Sequence, residues 1–317
     1  MDVTVIICCY NSKQRLKPTL EHLAKQVVPV GFGWNVVLVD NNSTDGTAQF
    51  VHTIWNDLDC NVPLKVVHEP QQGLSHARKK GIFEASGEIV IFCDDDNWLF
   101  PDYVEKAYKI MRNNPEIGIA AGIGIAVSDI RLPDWLNDFE KKCYACGQYH
   151  DYTGDITFKK WVWGAGMVIR KLVLLNLYKA GVTHQTTDRN KNSLASGGDR
   201  EICFWFILSG YKLWYDLDLK FYHYLSEIRL SSEYFKELRI EQQKSSDLIL
   251  PQYLVAYAYL KINGKSISYY NSFRYYIRRI LYNKHDYRYL FTFLRHFTLS
   301  KKEKDLKKLL TMIYKSN

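Results

Sequence analysis

The sequence contains no run of 18 uncharged apolar residues, so no membrane-spanning helix is expected. No basic segment and cleavage site precede the first apolar run, Val3 to Cys9, so no secretory leader is expected either. A dinucleotide-binding fold would place a glycine-rich turn after that run; Cys8-Cys9-Tyr10-Asn11 stands there instead. NAD and FAD are disfavoured on that ground. Gly-x-x-x-x-Gly-Lys-Ser/Thr is also missing, which excludes a P-loop. Cysteines are few, scattered and odd in number at seven, the pattern of reduced thiols in a cytosolic protein. Cys143 and Cys146 with His150 hint at zinc, but a fourth ligand is not evident, and unligated thiols are the default. There is no internal repeat and no low-complexity tract.

What is present is globular. The 317 residues are 47% apolar and 24% charged, enough for one large domain or two smaller ones. The net charge of +8 is unevenly placed. Residues 230–317 carry 17 Lys and Arg against 7 Asp and Glu, whereas residues 1–229 carry 25 against 27. The basic character belongs to the tail, which is expected to meet something acidic.

The first 125 residues alternate strand and helix signals. Val3–Cys9, Val36–Asp40, Leu64–His68 and Glu88–Cys93 read as buried strands. Helices are expected at Lys13–Gln26, Thr47–Asn56, Ser75–Ala85 and about Pro101–Asn113, then a strand at Ile117–Ile123. Such alternation implies a mainly parallel sheet with right-handed crossovers. Residues 126–161 read as an irregular, substrate-facing excursion. Trp163–Ile169 returns to strand character, Lys171–Ala180 and Asp199–Ser209 to helix, and residues 182–198 to a polar loop. Two strands are expected near Lys212–Tyr215 and Lys220–Tyr224, and a helical, basic, aromatic region follows residue 230.

Three motifs carry chemistry. Asp94-Asp95-Asp96 follows an apolar strand at the end where open α/β sheets bind ligands. Three adjacent carboxylates are unfavourable unless something cationic binds them, and Mg²⁺ is commonly held by one or two carboxylates plus substrate phosphates. The segment fits a metal–diphosphate site or, alternatively, an acidic turn starting the next helix. Asp40 ends the second strand, where a carboxylate can accept from a base N–H or a ribose hydroxyl, and Ser43, Thr44 and Asp45 are available to cap the helix that follows. Ser196-Gly197-Gly198-Asp199-Arg200-Glu201 sets carboxylates at a helix start behind flexible glycines. Asp199, with Glu201 as the alternative, is the candidate base.

Val5-Ile-Ile-Cys-Cys-Tyr-Asn11, Val39-Asp-Asn-Asn-Ser-Thr-Asp-Gly-Thr47, Gly73-Leu-Ser-His-Ala-Arg78 and Asp94-Asp-Asp96, in that order, resemble family 2 glycosyltransferases of the GT-A fold. The likeness covers roughly residues 1–225. It implies an α/β, GT-A type fold: a mainly parallel nucleotide-binding sheet flanked by helices, with a helical C-terminal extension. The implied division is a catalytic domain over 1–229, comprising a nucleotide-sugar half (1–125) and an acceptor half (126–229), followed by 230–317. The implied activity is inverting transfer of a sugar from a nucleotide-diphosphate donor, a UDP-sugar by preference, to a glycan or lipid-linked acceptor in a bacterial cytoplasm. A non-catalytic sugar-nucleotide-binding protein of the same fold is the alternative.

The resemblance also implies roles. Tyr10, Asp40 and Arg78 contact the base, and Asp94 lies near the ribose with Asp95 in the same donor site. Asp96 binds Mn²⁺ or Mg²⁺, and His223 joins the metal or diphosphate. Asp199 aligns with the family's base. Trp163, Gly164, Ala165 and Gly166 line the donor sugar and acceptor. Cys8-Cys9 and Asn41-Asn42 depart from the commonest family patterns. Aromatic, aliphatic and cationic residues mix at helical spacing over 269–308, a composition suited to the inner face of a membrane or to packing on the catalytic core. No recognised motif supports nucleic-acid binding.

Overall fold

The structure, a computed structural model, describes residues 1–262 apart from 187, 191 and 192, and over 250–262 only the backbone. The expected tail contact at 269–308 lies outside the described residues.

Chain order is β1 (Val3–Cys9), α1 (Leu16–Ala24), β2 (Trp34–Asp40), α2 (Thr47–Asp57), β3 (Leu64–His68), α3 (Leu74–Glu84) and β4 (Ile89–Asp94). β5 (Asn97–Leu99), α4 (Tyr103–Asn113), β6 (Ile117–Val127), α5 (Asp138–Lys141), β7 (Gly154–Asp155) and β8 (Val168–Arg170) follow. Last come α6 (Lys171–Lys179), α7 (Gly198–Leu208), β9 (Lys212–Tyr224) and α8 (Ser232–Ile262). One sheet runs β3-β2-β1-β4-β8-β6-β9-β5, with β7 pairing to β9. β3, β2, β1 and β4 are mutually parallel, as are β6 and β9, while β8 enters antiparallel between β4 and β6.

The apolar strands fold this way because both sheet faces are covered. Successive side chains of a strand point to opposite faces. In β1, Ile6 packs in one core, whereas Val3, Val5, Ile7 and Cys9 pack in the other. β4 divides likewise, with Val90 and Phe92 on one face and Ile89, Ile91 and Cys93 on the other. Helix faces close both layers. In α2 the buried positions Thr47, Val51 and Trp55 recur every four residues, and in α4 Tyr103, Val104, Ala107 and Met111 form one stripe. α7 is buried from Glu201 to Leu208, which requires neighbours all round. A third cluster, containing Tyr144, Cys146, Leu225, Leu230 and Leu238, seats the start of α8 against the segment 136–146.

Two expectations need correction. Lys212–Tyr215 and Lys220–Tyr224 belong to one 13-residue strand, β9, whose pairing with β6 shifts register between them. The strand expected over Trp163–Ile169 is confined to Val168–Arg170, because Gly164 to Gly166 turn and Gly166 takes φ +67°. Among the described residues no helix is long and apolar enough to cross a membrane.

Candidate active site

The carboxyl ends of β1 and β4 open into a cavity of about 550 Å³, lined on its other sides by Tyr144, Trp163, Asp188, Asp199, His223 and Arg229 among others. The loops after β1 and β2, beside the cavity, are joined by local polar contacts. Asn11, at φ +49°, accepts from the Thr44 amide at 2.8 Å, and its own amide donates to Ser43 Oγ at 3.0 Å. The Lys13 amide donates to Asp45 Oδ2 at 3.0 Å. Ser43 and Asp45 therefore join the β1 loop to the β2 loop, although Asp45 also accepts from Thr47. Tyr10 lines the cavity. Asp40 stands at its edge, accepting from the Ser43 amide at 3.1 Å; the neighbouring Asn41 is what faces in. Asn41 also fixes the approach to α3, donating to Gln71 O at 2.7 Å and accepting from the Gly73 amide at 2.7 Å.

The three aspartates diverge. Asp95 turns toward α1, where it takes Ser12 Oγ and Arg15 Nη2 (2.7 Å). Burial raises its pKa, and Arg15 offsets part of that rise. Asp94 keeps the most exposed carboxylate of the three, 3.7 Å from Arg78. Asp96 is buried against β9, with Oδ1 3.4 Å from His223 Nε2 and Oδ2 taking Arg229 Nη1. Burial alone would raise the Asp96 carboxyl, but His223 and Arg229 hold it well below the usual range. Burial alone would lower His223, and the Asp96 carboxylate instead lifts it to about 9.

These groups fit a hard divalent cation. Two ligands of one such ion, each at about 2.1 Å, stand about 3 Å apart, close to the Asp96–His223 spacing. Arg229 already places positive charge on the carboxylate. Among the described residues no three His, Cys, Asp or Glu side chains could enclose a metal alone.

Arg78 is buried, not a surface cation. Its guanidinium lies 3.5 Å from Asp188 Oδ2 and 5.3 Å from the Phe92 ring centre. Burial works against its charge, and Asp94 and Asp188 more than offset that. Space beside it is tight: a Cβ on Gly164 would stand 2.6 Å from Arg78 Nη2 and 3.1 Å from Asp199 Cβ, so a side chain there must displace the guanidinium. The Gly164 amide donates to Asp199 Oδ2 at 3.0 Å, and the Arg200 amide to Oδ1 at 2.8 Å. Asp199 lines the cavity.

Glu201, the alternative base, is placed elsewhere. Two residues further round a helix is about 200°, which turns it away from the cavity. It is fully buried, accepting from the Gln185 amide at 2.9 Å and standing 3.1 Å from His184. Trp163, Gly164 and Ala165 line the cavity; Gly166 lies beneath it, its carbonyl accepting from Tyr103 OH at 2.6 Å. The segment 196–200 leans on α8. The Ser196 amide donates to Ser245 Oγ at 3.1 Å, and Arg200 donates to Ser246 Oγ at 2.7 Å while covering the Trp161 ring at 4.6 Å. Sequence reasoning did not single out Arg15, Asn41, Asp188 or Arg229 as functional, although all four line the cavity.

The mainly parallel sheet, continued past β4 by antiparallel β8 and the β6–β9 pair, and a cavity at the strand ends define the GT-A class of α/β fold. The chain belongs to glycosyl transferase family 2, whose sequence profile matches residues 4–193. Among solved structures, Staphylococcus aureus TarS 1–349 in complex with UDP-GlcNAc superposes with a TM-score of 0.54 at 20% identity, covering 81% of this chain and 72% of that one. The mannosyltransferase PcManGT of Pyrobaculum calidifontis, in complex with GDP-Man and Mn²⁺, gives 0.52 at 18% identity, covering 99% and 85%. At such identities the likeness is one of fold. The dolichol-phosphate mannosyltransferase of Pyrococcus furiosus is 29% identical over 122 residues, 38% of this chain and 33% of that protein. The chain spans a third or less of the length of such curated relatives.

Proposed function

We propose that this chain transfers a sugar, with inversion, from a nucleotide-diphosphate donor to an acceptor hydroxyl, and that its donor is a UDP-sugar. The supporting observation is that Arg78, Asp94, Asp96, Asp199, His223 and Arg229 all line one cavity at the carboxyl ends of β1 and β4. Its volume suits a nucleotide-sugar. A TarS complex with UDP-GlcNAc and a PcManGT complex with GDP-Man and Mn²⁺ favour the same substrate class.

The roles follow from chemistry. Tyr10 and Asn41, with Asp40 at the rim, receive the nucleoside; Asp94, braced by Arg78, faces the ribose. Asp96 and His223 hold Mn²⁺ or Mg²⁺, which when bound offsets the charge that develops on the departing diphosphate. Asp199 takes the proton of the acceptor hydroxyl as its oxygen bonds to the anomeric carbon and the nucleoside diphosphate leaves. The Gly164 and Arg200 amides fix that carboxylate, and each oxygen keeps a lone pair free. Trp161 and Trp163 line the cavity beside it and bound the space for the sugars. Residues 1–229 form the catalytic unit in this reading, and the product enters polysaccharide or glycoconjugate synthesis.

Nucleotide release from UDP-, GDP- and dTDP-sugars, with Mn²⁺ or Mg²⁺, tests the proposal beside Asp96→Ala and Asp199→Asn. One donor should turn over in the presence of metal, and both variants should lose that turnover. Donor binding without turnover under any metal, unchanged by Asp199→Asn, would favour a sugar-nucleotide-binding protein instead.

A further inference from the structure

The position of Arg229 is not explained by folding alone. It sits on the one-turn helix Glu227–Leu230 directly after β9, and its backbone is held twice. Tyr144 OH donates to its carbonyl at 2.7 Å, and the adjacent Leu230 is buried in the third core cluster. The side chain reaches back into the cavity, 12% exposed, with its Cζ 5.6 Å from the Tyr144 ring centre. Nη1 contacts Asp96 Oδ2 and has a long 3.5 Å approach to Tyr224 O; Nη2 is 3.4 Å from His223 Nε2. Nε is buried and finds no partner among the described residues. A guanidinium carries five N–H donors in a fork shaped for carboxylate or phosphate. Here one strong contact is made, and the rest are long or missing. A buried cation left this incompletely satisfied is costly. It is also the group through which a second anion could be recognised.

We propose that Arg229 is a built-in counter-ion for Asp96 that exchanges partners during substrate binding, leaving the carboxylate when a divalent cation arrives and donating instead to the donor's diphosphate. The inference rests on the reading of Asp96 as a metal ligand. Arg229 on Oδ2 and a divalent cation on Oδ1 would share one carboxylate, so each weakens the other's hold on Asp96 until a second anion arrives to take the guanidinium. A diphosphate supplies that anion and fits the guanidinium fork. Because the Arg229 backbone is pinned by Tyr144 and Leu230, the exchange needs only rotation of the side chain. Its consequence is coupling: free protein is guarded against adventitious metal, and metal and diphosphate each ease the other's binding.

The test needs no turnover. Mn²⁺ is titrated into the intact protein and its free fraction read by electron paramagnetic resonance, for the wild type, Arg229→Met, and Arg229→Met with Asp96→Asn. Removing the competing cation should tighten Mn²⁺ binding about tenfold, and the Asp96→Asn change should abolish the gain. With saturating Mg²⁺ present, calorimetric binding of inorganic pyrophosphate should weaken about fivefold in Arg229→Met. Thermal melting checks that the variant folds. Arg229→Gln, which keeps amide donors for Asp96 without the charge, replaces it if it does not. A folded variant that binds Mn²⁺ no more tightly than wild type overturns the proposal, and so does unchanged pyrophosphate affinity. Donor turnover by the wild type with both arms negative would remove the counter-ion and leave the proposed transfer standing; positive arms without turnover would do the reverse.

Discussion

The Gly164 amide donates to Asp199 in a tight gap, where a Cβ would stand 2.6 Å from Arg78 and 3.1 Å from Asp199. Gly164→Ala must therefore push one of the two. The expected result is a fall in turnover of about 10²-fold, of the size that a misplaced catalytic group produces. Stability should fall by only about 1–3 kcal/mol. Steady-state kinetics with the active donor, beside thermal melts, read both. Full turnover in the alanine variant would remove the Gly164–Asp199 contact from the mechanism.

Glu201 and Asp199 differ in what their loss should do. Glu201→Gln disturbs a buried carboxylate that holds His184 and the Gln185 amide, at a cost of about 1–3 kcal/mol. Turnover by the folded fraction should stay near wild type. Asp199→Asn should show the opposite pattern, normal urea unfolding with turnover lost. If Glu201→Gln is stable and inactive, Asp199 is not the base.

Asp188 makes stability depend on pH in a defined direction. Burial lifts its pKa from 3.8 to about 6 despite Arg78 beside it. The folded chain thus holds this proton more tightly than the unfolded chain. Its contribution is complete below about 3.8 and is lost as pH rises through about 6. Asp188→Asn cannot titrate. Relative to the wild type, the variant should therefore gain melting temperature between pH 4 and pH 7. A difference independent of pH over that range would contradict the assignment.

Asn41→Ala removes contacts to Glu69 O, Gln71 O and the Gly73 amide. A rise in donor KM is expected, with a smaller change in kcat, because the loop leading to α3 loses its anchor and not the base. Stability should fall by about 1–3 kcal/mol. A loss confined to kcat would count against placing Asn41 at the nucleoside end.

The parallel half of the sheet was legible because its strands are continuous apolar runs, and only burial on both faces explains such runs. Asp94 to Asp96 stood out because three adjacent carboxylates ask for a reason. The structure then assigns them separate neighbours, which spacing along the chain cannot show. β9 read as two strands because Asp216 and Asp218 interrupt its apolar pattern near the register shift. Arg229 and Asp188 stayed hidden for a different reason. Their partners lie 133 and 110 residues away, so nothing local distinguishes them from surface charges. Glu201 was misplaced because helical rotation separates it from Asp199, although the two are nearly adjacent in sequence.

The contact of α8 with the base segment bears on how far the protein can be shortened. Ser245 and Ser246 each bond to that segment, and Ile249 stands 3.4 Å from where a Cβ on Gly197 would be. A chain ended at residue 229 would keep every residue assigned to chemistry, yet the strap carrying Asp199 would lose its outer wall. Such a fragment would hold the groups proposed for the reaction without the contacts that steady them, and its turnover is expected to fall below that of a chain running past Ile249.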